Sequence, residues 1–235
     1  IYTSDAYKVN VVYLDNIIKA CSHHAKKRFI YLSTAHVYGA ALKGNVTEDT
    51  IPAPLSNYAI THLAAEHHVL SAHYKDTIDG VVLRLANTFG PPASVDADCW
   101  TLLLNDLARQ IVQEKKCRLL TPGLQRRDFI AMTQLVRCIA SLLDLSSHDT
   151  VPLYNVGSGD VITVREAARK LVQCANESGL SVVLEYPDSH DAHVGDYNYS
   201  IDRLNSVINL ERETLDEELY ALLEFCRKNV ALQLC

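Results

Sequence analysis

The sequence contains no C-x-x-C pair, no basic run longer than the three residues Lys26-Lys27-Arg28, and no apolar stretch approaching 18 residues. The first absence removes the usual zinc-ribbon and dithiol spacings. The seven cysteines (Cys21, Cys99, Cys117, Cys138, Cys174, Cys226 and Cys235) are scattered and odd in number. That pattern is expected of reduced thiols in a cytoplasmic protein. The second absence, with a net charge of −6, makes duplex nucleic acid an unfavourable partner. The third leaves no helical membrane span. Two adjacent histidine pairs, His23-His24 and His67-His68, diverge by about 100° on a helix, so neither chelates a metal by itself. The chain also opens at Ile1 with no signal-peptide pattern. Its first residues read as the middle of a helix, so the expectation is a segment of a longer protein.

What is present is a globular composition. Of 235 residues, 48% are apolar and 21% charged, which fits one large or two smaller domains. A helix is expected over 5–22, with Val11, Leu14, Ile17, Ile18 and Cys21 on one face. RFIYLS (28–33) reads as a buried strand, and a helix follows from Tyr58 to Tyr74. DGVVLRLAN (79–87) reads as turn then strand. Helices are expected over 98–114, 133–145 and 164–175, the last capped by Thr163. CRLL, VPLYNV and SVVLEY read as strands, TPGLQRRDF and 188–198 as loops. Two further helical stretches, 201–207 and 215–230, close the chain. Strands alternating with helices favour an α/β fold with a largely parallel sheet. Pro91-Pro92 is the expected break into a second lobe.

The stretch SNYAITHLAAEHH (56–68) places Tyr58 and His62 one helical turn apart on the same face. Alone, that is an ordinary amphipathic helix. It gains meaning from its neighbours in the chain: YLSTAHVYG before it, then RLANTFGPP, RRDFI and YNVGSG after it. In this order, over nearly the whole length, the segments resemble the extended short-chain dehydrogenase/reductases. More narrowly, they are similar to the NAD-dependent epimerase/dehydratase group that acts on nucleotide sugars.

The resemblance implies a Rossmann-like parallel sheet, truncated at its N-terminal side, with a smaller C-terminal substrate lobe. Residues 1–90 would be the remainder of the dinucleotide-binding domain. Residues 91–235 would be mainly substrate lobe, with 150–175 returning to the first domain. It also implies an NAD(P) cofactor, a nucleotide-sugar substrate, and a homodimer formed through the first helix and the helix of Tyr58.

Residue by residue, Tyr58 matches the family's catalytic tyrosine, and Thr34 its hydroxyl that holds the reacting substrate oxygen. Ser33, Tyr58 and His62 would face the cofactor. His62 stands where the family's Tyr-x-x-x-Lys motif has lysine, which lowers the tyrosine's pKa and reaches the nicotinamide ribose. Asn87, in the R-x-x-N-x-x-GP pattern, and Arg127, in Q-x-RDF, would hold the diphosphate. A guanidinium suits that task because it is permanently charged and forks onto two oxygens. Asn155 of the NxGSG turn is expected to be architectural.

Four departures stand out. The glycine-rich G-x-x-G-x-x-G turn that holds a dinucleotide pyrophosphate at a helix N-terminus does not occur. By the length of a βαβ unit, on the order of 80 residues would precede Ile1, and without them the sheet would expose an apolar edge. Ala35 and His36 replace the Asp-Glu that serves elimination in the dehydratases, which favours epimerisation or ketone reduction. His193, before Val194-Gly195-Asp196, replaces a phosphate-gripping arginine. Ala131-Met132-Thr133 replaces His-Val-Asp. The reading is a nucleotide-sugar epimerase or sugar ketone reductase with Tyr58 as acid/base. The alternative is a catalytically impaired binding protein, motivated by His62 and by the absent glycine turn.

Overall fold

The computed structural model describes residues 3–23, 26–40, 42–146, 151–188, 195–209 and 214–230. The fold is α/β and divides into two units. The first comprises 1–86, 137–159 and 197–210, and the second comprises 87–136, 160–196 and 211–235. Two later segments, 137–159 and 197–210, return to the first unit, where 150–175 was expected. The Val164–Glu177 helix belongs to the second unit because its apolar stripe, Ala167, Ala168, Leu171 and Cys174, is buried in that unit's core.

In the first unit, three parallel strands form a sheet in the order Arg28–Thr34, Asp79–Leu85, Leu153–Val156. The central strand is buried almost throughout, as its continuous apolar run requires. The Arg28–Thr34 strand, expected to be buried, is instead an edge among the described residues. It has one neighbour, and Leu32 is 43% exposed.

The Asn57–Tyr74 helix packs on this sheet through Ala65, Val69 and Ala72, at the spacing of one helical face. Pro52 and Pro54 precede it. Ser56 caps it by accepting from Ala59 N–H at 3.2 Å. It ends where Asp76 turns left-handed, with φ 59°. Gly80 lets helix and strand approach, since a Cβ there would lie 3.0 Å from Val69 Cγ1. The preceding helical segment runs as Thr3–Tyr7, a π-helical stretch Lys8–Tyr13, and Leu14–Cys21. Val11, Leu14 and Ile18 are buried as expected, but Ile17 is 51% exposed. The wider π turn rotates the stripe away from a regular 3.6 period.

The second unit holds a three-stranded sheet in which Arg126–Ala131 pairs parallel with Asn87–Phe89 and antiparallel with Val161–Thr163. RRDF is therefore strand, not loop. Its polar side chains hid a segment whose buried residues are Asp128, Phe129, Ile130 and Ala131. The Leu103–Glu114, Val164–Glu177 and Leu215–Phe225 helices share one core. Thr163 caps its helix as expected, completing a capping box with Glu166.

The Ala131-Met132-Thr133 departure also finds its place. The Met132–Asp144 helix starts there, and Glu218 reaches its first turn. Glu218 accepts from Thr133 Oγ1 at 2.8 Å and from Thr133 N–H at 3.4 Å. A carboxylate from another helix thus serves the open N–H groups.

Candidate active site

The carboxyl end of the Arg28–Thr34 strand leads into a 3₁₀ turn, Ala35–Tyr38. Thr34 caps that turn. Its Oγ1 accepts from His36 N–H at 3.2 Å, so the hydroxyl keeps its own proton to donate. Gly39 closes the turn at φ 102°, and a Cβ there would lie 2.8 Å from Ala53 O. That is why VYG ends in glycine. Tyr38 is architectural: its OH donates to Asn155 Oδ1 at 2.6 Å, and Arg84 lies over its ring at 4.7 Å.

Asn155 is a fully buried hub. It accepts from Tyr38 and Tyr199 and donates to the carbonyls of Val46 and Ser200, while its N–H meets Glu48 Oε1 at 2.8 Å.

Tyr58 and His62 stack as the helical spacing demands, with ring centroids 4.4 Å apart. Tyr58 is 49% exposed. His36 stands edge-on to it, centroids 6.3 Å apart, which brings the turn after Thr34 beside the start of the acid/base helix. His62 is half-buried, and its Nδ1 is 2.9 Å from Tyr31 OH. Burial lowers its pKa, opposed in part by the Glu66 carboxylate.

Between the folded value and the unfolded value of about 6.5, the unfolded chain binds more protons at this site. His62 therefore contributes a loss of stability as pH falls through that window. The expected result is that His62→Gln flattens part of the fall in thermal midpoint as pH drops below the unfolded value of about 6.5, read by differential scanning calorimetry.

Ser33 was expected on the cofactor, but its side chain is buried. Its Oγ donates to Glu66 Oε1 at 2.5 Å. Glu66 also takes a forked bond from Arg84, Nε at 3.1 Å and Nη2 at 2.7 Å, and both partners are buried. This pair ties the acid/base helix to the central strand. Removing one partner leaves a buried charge alone, so Glu66→Ala is expected to cost about 3–5 kcal/mol. The urea unfolding midpoint measures it.

Tyr31 and Glu66 carried no motif signal in the sequence. The available signal was strand alternation: Tyr31 and Ser33 are two apart and so share a face, the face that meets the helix.

The second unit holds the remaining candidates. Asn87 Nδ2 donates to Asp128 O at 3.0 Å, leaving its Oδ1 and second amide proton to other partners. Of the two arginines in RRDF, Arg126 is engaged by Val161 O at 2.8 Å and by Asp196 at 3.4 Å. Arg127 lies half-buried opposite Ile162 and makes no ion pair among the described residues. His193 lies outside the described residues.

A tyrosine and a hydroxyl at the carboxyl end of a parallel sheet are where α/β folds place their ligands. The family comparison decides which such fold this is: the model of the NAD dependent epimerase/dehydratase family matches residues 1–157. The chain belongs to that family.

Among its relatives is an uncharacterized UDP-glucose epimerase, YtcB, of Bacillus subtilis (strain 168). It is 29% identical over 182 residues, covering 76% of this chain and 54% of the relative. The dTDP-D-glucose 4,6-dehydratase of Mus musculus is 30% identical, covering 72% of this chain and 46% of its own length. The chain thus spans about half the length of the curated relatives it matches.

Among solved structures, the UDP-glucuronic acid 4-epimerase of Bacillus cereus, in complex with UDP-glucuronic acid and NAD, superposes with a TM-score of 0.76. It is 24% identical, with 93% of this chain and 67% of that chain covered. MoeE5 in complex with UDP-glucose and NAD gives 0.76 at 26% identity, covering 93% and 71%. Both the α/β architecture and its parallel sheet are those of this family. No described helix is long and apolar enough to cross a membrane.

Proposed function

We propose that this epimerase/dehydratase-family chain forms the catalytic half of an NAD(P)-dependent enzyme acting on a nucleotide sugar, by epimerisation or ketone reduction. The observation that carries the reading is the pairing of Tyr58 with a hydroxyl-bearing turn: Thr34 capped by His36 N–H, and the His36 ring edge-on to Tyr58.

The chemistry of these donors fits the nicotinamide end of the cofactor, which, when bound, supplies reversible hydride acceptance. Tyr58 takes the proton of the sugar hydroxyl during oxidation and returns it on reduction. Thr34 donates to the same oxygen and orients it. Ser33 is reassigned to holding the helix. Asn87 and Arg127 bind the diphosphate, and Arg127 is favoured over Arg126 because Asp196 already neutralises the latter. Ala35 and His36 in place of an acid pair favour epimerisation over elimination.

A homodimer is supported by the apolar residues that the first helix and the Tyr58 helix leave exposed, among them Val9, Val12, Tyr13, Ile17 and Ile60. The cysteine pattern supports a cytoplasmic location.

A second reading, a nucleotide-sugar-binding protein with impaired catalysis, is favoured by one observation. His62 replaces a cation, and burial keeps its imidazole neutral at pH 7.

Turnover of UDP- and dTDP-sugars with NAD, followed by NMR of the sugar carbons, tests the first reading; no conversion of any of them would overturn it. Arg127→Ala is expected to raise the KM for the nucleotide sugar about 10- to 150-fold, the value of a hydrogen bond to a charged group. An unchanged KM removes Arg127 from the site.

A further inference from the structure

The lysine of the family motif has two duties, charge and a hydrogen bond to ribose. In this chain a side chain outside the motif bears on the second. Tyr31, on the edge strand, is half-buried. Among the described residues it makes one hydrogen bond, to His62 Nδ1 at 2.9 Å. Its ring lies 5.8 Å from the imidazole, tilted by 40°.

Tyr31 cannot ionise near neutral pH. Burial, with Glu66 and Tyr58 nearby, pushes its pKa far above the ordinary phenol value. It therefore carries a proton, and that proton has one acceptor within reach. If the imidazole donated from Nδ1 instead, the phenol O–H would lie half-buried without an acceptor. A donor taken out of water and left unpaired loses its hydration without return. The neutral imidazole has one donor and one acceptor nitrogen, and the bond made by one settles the other.

We infer that Tyr31 is a positioning residue whose O–H donates to Nδ1 and locks His62 as the Nε2–H tautomer against Tyr58, a neutral donor available to a ribose hydroxyl of the dinucleotide. The last clause rests on the proposed cofactor; the lock itself does not. The lock divides the lysine's duties: the donor is retained and the charge is given up. It also gives His62 a fixed ring orientation. Packing against Tyr58 at 4.4 Å would not by itself do so, because a ring flip keeps the stacking surface while putting a carbon where each nitrogen stood.

The titratable groups facing His62 are Tyr31 from the strand, and Tyr58 and Glu66 from its own helix, Glu66 being neutralised by Arg84 from the central strand. None of them supplies a net positive charge that would favour the opposite tautomer.

The test is a long-range ¹H–¹⁵N correlation spectrum of the ¹⁵N-labelled full chain near neutral pH, with the His62 signals assigned by their loss in His62→Gln. The parent is expected to show Nε2–H alone, with Nδ1 shifted as an acceptor. Tyr31→Phe, which keeps the ring, is expected to show both tautomers. An Nδ1–H parent, or an unchanged tautomer in Tyr31→Phe, overturns the lock. If Tyr31→Phe does not fold, the parent spectrum alone decides.

NADH titration by nicotinamide fluorescence then tests the ribose clause. Tyr31→Phe and His62→Gln are each expected to weaken binding about 2- to 10-fold, as the loss of one neutral hydrogen bond does. A locked tautomer with NADH affinity unchanged in both variants overturns the ribose clause while the lock stands. A locked tautomer in a chain that turns over no nucleotide sugar counts against the catalytic reading alone.

Discussion

Replacing Tyr58 by phenylalanine is expected to lower turnover about 10²- to 10⁴-fold, the range that a positioned acid/base contributes, with little change in stability or in KM. The hydroxyl is the only part removed. The ring of Tyr58 packs on His62 at 4.4 Å and stands edge-on to His36, and Phe keeps both contacts. The residue is 49% exposed, so no buried polar group is orphaned, and surface changes of this kind stay within about 0.5 kcal/mol. Steady-state kinetics with a thermal melt of the same preparation separates the outcomes. Lost turnover with an intact melt supports the acid/base assignment; turnover equal to the parent's removes it.

Restoring the lysine, His62→Lys, is expected to raise turnover at neutral pH by about 10- to 10³-fold. A free tyrosine has a pKa of about 10, so about one in a thousand is phenolate at pH 7. An opposite charge one turn away lowers such a pKa by about 1–3 units, and each unit is worth about tenfold in the reactive form. His62 cannot do this while burial keeps it neutral. The substitution is sterically reasonable: Tyr31 OH, now the partner of Nδ1, can accept from an ammonium. The pH–rate profile is the measurement. In the lysine variant the rise in rate with pH, which follows phenolate formation, should begin at lower pH than in the parent. Activity appearing only in the lysine variant would assign the natural chain to the binding reading. Turnover by the natural chain would end that reading, and an equal rate in both would mean that the charge at position 62 does not govern Tyr58.

The two substitutions bear on different halves of one question. Tyr58→Phe asks whether the proton moves through the phenol. His62→Lys asks whether the chain has kept the electrostatics to move it quickly. The Glu66–Arg84 pair bears on neither chemically, but it fixes where both side chains stand by tying the helix to the central strand.

Much of this was legible along the chain. The α/β alternation, the parallel sheet, the Thr163 cap and the one-turn pairing of Tyr58 with His62 all follow from local rules, namely period, propensity and capping, which act within a few residues. The resemblance to the epimerase/dehydratase family was carried by five short segments whose order survives at under a third sequence identity.

Other features were settled by residues far apart in sequence. RRDF reads as a polar loop until Asn87–Phe89 and Val161–Thr163 flank it. Ser33 reads as a ligand residue until Glu66, 33 positions later, accepts its hydrogen bond. Thr133 reads as a lost aspartate until Glu218, 85 positions on, supplies the carboxylate. His62 reads as a defective lysine until Tyr31 meets its Nδ1.

By itself, then, the sequence determined most of the elements, their order and the family. Tertiary structure alone decided which polar side chains are spent on one another and which are left for a ligand. The reason is physical: a buried donor or acceptor must find a partner, and chain folding, not spacing, chooses that partner.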